Sequence, residues 1–286
     1  MRTLILNSSN IVPNSGNSQF LYTFPVTTTF KDSLIGVASI GQYFSTYNVN
    51  SQNYNNDTYS YIWFDGLTYT VNMPNGYYNV GDLLAYLESV MVSNKHYLLT
   101  TTGQYVYFLG FNINQTYYAD QLYAYLLSTT IATTNNWTLP IGATWTIPTV
   151  ATVPQYSFGN GNFCLLLGFT QNYIWPATQT GFTTTQTTLS TQAPQITPFN
   201  SFLVLCSLVN NALANPTNVI FSYTPQDVNF GAVAQYAPPV IGFNKITSGS
   251  FQSFTITIKD QNFNTVSFQD PQTTIILYIK DEGIDF

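Results

Sequence analysis

Apolar and polar residues alternate along much of this chain. In Thr255-Ile256-Thr257-Ile258 the isoleucines fall on one face and the threonines on the other, the period-two signature of a strand. Runs rich in β-branched and aromatic residues predict strands over Thr3–Leu6, Gln19–Phe24, Leu34–Tyr47, Tyr59–Phe64, Thr68–Asn72, Tyr97–Thr100 and Tyr105–Phe108. Further runs predict strands over Thr144–Ile147, Phe163–Leu167, Phe202–Val209, Val219–Tyr223, Phe251–Ile258, Thr265–Phe268 and Thr274–Ile279. Turn residues separate many of them, among them Asp65-Gly66, Pro74-Asn75-Gly76, Asp260-Gln261-Asn262 and Asp270-Pro271. One segment has a different period. Leu83, Leu84, Leu87, Val90 and Met91 recur at helical spacing, and an amphipathic helix is expected over Val80–Ser93. Asn79 stands at its N-cap position. Asp82 follows where a capping box needs a side-chain acceptor and where the positive helix end favours a carboxylate. Asp120–Leu127 fits either a short helix or a strand.

Two stretches break this order. Thr130 to Asn162 is rich in Pro, Gly and Thr, and Ala177 to Ile196 is rich in Thr and Gln; both read as long loops. The second is expected at an end of the fold. No composition shift marks a linker, and no fixed-period repeat is visible. The chain therefore reads as one domain over 1–286, with an irregular region at about 128–200. Many short strands with a single helix imply an all-β sandwich or barrel.

Charge changes the picture. Residues 121–226 contain no Asp, Glu, Lys or Arg, and charged residues are 6% of the chain, against roughly a quarter in an ordinary soluble domain. Such a surface cannot keep copies apart by self-repulsion. A bilayer is not the expected environment, because the apolar run Phe163–Phe169 is far short of the ~20 residues a membrane helix needs. A surface that meets other protein is the expectation. Nucleic acid is not an expected partner: the six cationic residues are scattered singly, and no basic groove accompanies the aromatics. The start MRTLILNSSN lacks the apolar core of a secretory leader, which favours a cytosol-like compartment. Cys164 and Cys206 sit in apolar runs and read as free buried thiols. The sequons at Asn7, Asn56, Asn114 and Asn136 are expected by chance in a chain this rich in Asn and Thr.

Candidate chemistry is sparse. His96 is the single histidine and has no second His or Cys at ligand spacing, so no metal site is expected. Asp57 and Asp65 flank a Tyr-rich strand as a glycosidase pair would, but Gly66 after Asp65 points to turn duty. Glu88 falls away from most of the helix leucines and reads as solvated. Asp281, Glu282 and Asp285 form an acidic tail without the pattern of a calcium loop. No phosphate loop, dinucleotide fingerprint or nucleophile elbow is present, and neither catalytic residues nor a cofactor are expected. Of the four tryptophans, Trp63 reads as core. Trp137, Trp145 and Trp175 lie in the uncharged region as candidate interface anchors, with glycan contact as the alternative.

Several stretches taken in order carry a resemblance. They are LILNSSNIV (Leu4–Val12), FLYTFP and FKDSLIGVASIGQYFSTYNV (within Phe20–Val49), NGYYNVGDLLAYLESVM (Asn75–Met91), NFCLLLGF (Asn162–Phe169), YAPPVIGFNKI (Tyr236–Ile246) and the closing FTITIKDQNFNTVSFQDPQTTIILYIK (Phe254–Lys280). Together they resemble the minor capsid or penton proteins of large double-stranded DNA viruses, virophages and polinton-like elements. The resemblance implies a single jelly roll of two stacked antiparallel sheets. It also implies a structural role in the virion, assembled in host cytoplasm. A homopentamer at the five-fold vertices of an icosahedral capsid, against capsomers of the major capsid protein, is the leading form. An inner-shell cement beside other minor capsid proteins, or a lectin-like attachment module holding a host glycan, are the alternatives.

Overall fold

A computed structural model describes residues 1–225 and 228–281. Asp227, which closes the uncharged stretch, and Glu282 and Asp285 of the acidic tail lie outside the described residues. The chain divides into two compact units, where the sequence predicts one domain. The first comprises Met1–Tyr47 together with the described residues from Phe199 on, and the second is Asn48–Pro198.

The first unit opens with β1 (Arg2–Leu6), β2 (Gln19–Phe30) and β3 (Ser33–Tyr43). The second unit then interrupts it. It contains β4 (Thr58–Ile62), β5 (Thr68–Asn72), α1 (Val80–Ser93), β6 (Leu98–Leu99), β7 (Tyr105–Val106), β8 (Leu109–Asn114) and β9 (Ala119–Ala124). It continues with α2 (Thr129–Asn135), β10 (Gln155–Phe158), α3 (Phe163–Leu166), β11 (Tyr173–Trp175) and β12 (Gln186–Leu189). The first unit resumes with β13 (Phe202–Cys206), β14 (Val219–Tyr223), β15 (Val233–Tyr236), β16 (Asn244–Lys245), β17 (Gly249–Asp260) and β18 (Thr273–Asp281).

In the first unit the strands form two antiparallel sheets, ordered β1-β18-β3-β15, with β16 also on β3, and β14-β13-β17-β2. First and last strands are neighbours, and the chain passes repeatedly from one sheet to the other. This is the jelly-roll order of an all-β sandwich. Alternation puts Phe254, Ile256 and Ile258 of β17 in the core with Phe202, Val204 and Cys206 of β13. Ile35, Val37 and Ile40 of β3 and Ile275, Leu277 and Ile279 of β18 are buried likewise. Each such side chain contributes about 1.5–3 kcal/mol by leaving water. Aromatic rings tie the core: Phe202 lies 5.5 Å from Phe268, and Tyr223 lies 4.4 Å from Tyr236. β15 and β16 are two pieces of one edge, both paired to β3. Between them the chain passes over Gly36 of β3, where a Cβ would come within 2.6 Å of Ile241 and 2.8 Å of the Gly242 carbonyl. Gly36 is therefore the saddle on which this strap rests.

The Asp260-Gln261-Asn262 turn at the end of β17 does more than reverse the chain. Asp260 is buried, and its carboxylate accepts from the backbone N–H of Asn262 (2.9 Å) and Asn264 (2.8 Å) and from Asn264 Nδ2 (3.0 Å). Those bonds supply what a buried carboxylate needs.

The second unit has sheets ordered β11-β10-β4-β5 and β12-β9-β8, with a small β6-β7 pair. The helix α1 spans Val80–Ser93 as the periodicity predicts. Its capping box is complete: Asn79 Oδ1 accepts from the Asp82 N–H (2.9 Å) and Asp82 Oδ2 from the Asn79 N–H (3.0 Å). Val80, Leu83, Leu87 and Met91 form its buried face.

Several local expectations change. Phe163–Leu167 contains the short helix α3 instead of a strand. Phe163, Cys164, Leu166, Leu167 and Phe169 are all buried, so the run has no polar face to reveal its period. The turn after it needs Gly168 in the left-handed region, φ +76°. Thr144–Ile147 forms no strand, and Thr265–Phe268 makes only isolated bridges. The two loop-like stretches are partly ordered, since α2 and β10 occupy the first and β12 the second. Asp120–Leu127 resolves largely as the strand β9.

Candidate interaction surfaces

His96, Asp57 and Asp65 sit in packing and turn contacts. His96 is buried and stacks on Trp63, with ring centroids 4.7 Å apart at 12°. The Tyr61 hydroxyl lies 2.7 Å from His96 Nδ1 and accepts from Asn94 Nδ2 at 3.0 Å. Burial lowers the imidazole to about 4 against an opposing pull from Asp65, so it stays neutral near pH 7. Asp65 accepts from the Leu67 N–H (3.0 Å) and the Tyr69 hydroxyl (2.7 Å), an Asx turn closing the β4–β5 hairpin. Asp57 belongs to the same hairpin, where its carbonyl accepts from the Met73 N–H at 2.8 Å.

Glu88 is half-buried rather than fully solvated, and desolvation raises its carboxyl. Asp120 is fully buried, and neither of its carboxylate oxygens has a hydrogen-bond partner. Burial pushes this carboxyl up to about 7. Among the described residues no group of three His, Cys, Asp or Glu side chains could hold a metal ion. Cys164 and Cys206 are free and buried.

The three candidate anchor tryptophans separate. Trp145 is 3% exposed and belongs to the core, contrary to an interface role. Its indole N–H donates to the Lys95 carbonyl at 2.8 Å, and its ring meets Trp63 edge-on at 5.2 Å. Trp137 is half-buried against Phe108 at 5.9 Å, and Trp175 is half-buried on β11. The structure does not gather the three into one patch beyond their shared packing on the second unit's core.

The outer faces of the jelly-roll sheets are almost free of charge. On the β17–β2 side, Thr255 stands opposite Leu21, Ser253 opposite Thr23, and Thr257 opposite Gln19. Thr29 and Ser250 share a hydrogen bond of 2.7 Å there. On the β18–β3 side, Ile5 stands opposite Ile276 and Thr3 opposite Tyr278. A groove of about 360 Å³ opens beside them, lined by Gly41, Tyr43, Val233, Gln272 and Thr274 among others. Charge sits at the margins, in the exposed pairs Arg2–Asp281 (3.3 Å) and Lys245–Asp32 (3.2 Å).

The second unit carries a distinct outer face on its β12-β9-β8 sheet. Tyr123 is flanked by Gly110 of β8 and Thr187 of β12, and Gln121 by Asn112 and Leu189. Tyr123 and Tyr125 lie parallel, with centroids 6.0 Å apart at 9°.

These features define a jelly-roll protein with an inserted unit and neutral faces. No protein-family model matches the sequence, and no curated protein matches it either. Among solved structures the chain is similar to the mavirus penton protein, with a TM-score of 0.46 and 11% identity over 98% of each chain. It is also similar to a chain of the Sputnik virophage structure, with a TM-score of 0.40 and 9% identity over 100% of each chain.

Proposed function

We propose that this chain is a non-enzymatic structural protein of an icosahedral viral capsid. In this reading it forms a homopentamer at the five-fold vertices and contacts capsomers of the major capsid protein. The observation that carries the reading is the neutrality of the jelly-roll faces. Thr, Ser and Gln occupy positions where a solvated sheet would carry Lys and Glu. Neutral polar flanks meet without the cost of desolvating ions. A closed ring uses each copy twice, once through each of two different flanks, and so asks for two such surfaces on one chain. Fold alone does not assign this role; the ordered sequence resemblance from LILNSSNIV to TTIILYIK points the same way.

Electron-microscopic class averages of the purified protein test the proposal. Five-fold rings are expected. Rings of another order, or filaments, contradict the vertex assignment.

A further inference from the structure

We propose that the outer face of the β12-β9-β8 sheet is a binding platform for a neutral oligosaccharide. The capsid reading is not needed for this and does not supply it. Three observations lead there. The first is the aromatic pair. Tyr123 lies on β9 and Tyr125 just past its end, two residues on; the rings are parallel with centroids 6.0 Å apart, and Tyr125 is 40% exposed. An amphipathic ring offers an apolar face to the C–H face of a sugar and a hydroxyl at its edge.

The second observation is the floor. Gly110 stands opposite Tyr123, and a Cβ placed there would meet nothing within 4 Å. The sheet is thus bare beside the ring, leaving space for a flat ligand to lie against it. The third is the pattern of polar groups. Asn112 Oδ1 accepts from the Tyr123 hydroxyl at 3.4 Å, and Gln121 Oε1 accepts from Asn114 Nδ2 at 3.0 Å. Both acceptors are thereby oriented, and the NH₂ groups of Asn112 and Gln121 remain as donors for hydroxyls. Thr187 adds an exposed hydroxyl on the far strand.

The chemistry selects a neutral sugar. None of the outward residues is charged, and Lys95 is the sole Lys or Arg between Asn48 and Pro198. A sialate or sulfate would find no cation on this face to pair with.

The test is saturation-transfer NMR on the full chain with maltotriose, cellotriose, chitotriose and mannotriose, and with sialyllactose as the acidic comparator. Saturation of at least one neutral trisaccharide is expected. Its apparent affinity should fall roughly ten-fold or more in Tyr125→Ala and in Gly110→Val. Gly110→Val guards against a folding artefact, because its side chain enters open space in a strand; its thermal unfolding should match the parent's. No transfer from any neutral trisaccharide overturns the proposal, as does transfer that both variants leave intact or transfer from sialyllactose alone. If the variants bind no sugar differently but change the mass of the assembly, the face is a protein contact and the proposal fails. A pentamer that binds no sugar leaves the capsid reading standing and overturns this one alone.

Discussion

Among the described residues each unit buries one aspartate, and the two are treated differently. Asp260, at the end of a jelly-roll strand, is met by two backbone N–H groups and an amide from the turn that follows it. Asp120 is the second residue of β9, opposite Ile113, and its backbone N–H donates to the Ser190 hydroxyl at 3.1 Å. Its carboxylate oxygens are left without partners. The turn after Asp260 folds back onto its carboxylate; no donor reaches that of Asp120, and burial there favours the protonated form. The jelly roll is thus built from regular alternation with its buried charge satisfied. The inserted unit packs aromatic rings around polar groups whose charged forms burial disfavours, His96 and Asp120 among them.

Substitutions can break that comparison. The largest effect is expected for Trp63→Ala, which removes the ring that stacks on His96 and meets Phe64 and Trp145. It should cost about 3–5 kcal/mol in urea unfolding. NMR titration of His96 should move upward from about 4 toward 6.5 as water enters. Asp260→Ala comes next, at about 3 kcal/mol, because it leaves the turn's donors buried without an acceptor.

Asp120→Asn sharpens the contrast through pH. The folded carboxyl titrates at about 7 against 3.8 ordinarily, so the unfolded chain releases the proton first and stability falls as pH rises from about 4 to 7. The Asn variant loses this slope, and its stability relative to the parent should be greater at pH 8 than at pH 5. His96 acts in the opposite sense. Its depressed value makes stability rise with pH between about 4 and 6.5, so the two groups oppose each other across that window. An unchanged slope in Asp120→Asn would rule out the buried neutral carboxyl. The smallest effect is expected for Asn79→Ala, about 1 kcal/mol from the loss of the α1 cap, measured by thermal unfolding.

Elements of both units were legible: Val219–Tyr223 of the jelly roll, and Thr68–Asn72 and the helix Val80–Ser93 of the inserted unit, stand where the periodicity puts them. Signals survive at many segments with one polar face, although Thr144–Ile147 alternates and forms no strand. They fail where both faces are buried, as at Phe163–Leu167. Trp145 shows a second limit: a tryptophan in a charge-free loop looks like an anchor, yet its N–H is satisfied by a backbone carbonyl contributed from Lys95, far away in sequence. The Tyr123–Tyr125 platform was missed for a third reason. Tyr123-Ala124-Tyr125 falls in a segment that fits helix or strand, and only the extended chain puts both rings on one face. The division into two units left no trace because no linker composition marks residues 47–48 or 198–199.

The central claim is that neutral faces join copies of this chain into a ring. The mass of the purified protein in solution, by light scattering over a concentration series, tests it most directly when repeated in about 0.1 M and about 1 M NaCl. The screening length falls from about 10 Å to about 3 Å between them. The account predicts five protomers, with a mass unchanged by salt because ion pairs do not hold the ring. A monomer at every concentration, or a pentamer that dissociates as salt rises, would contradict it.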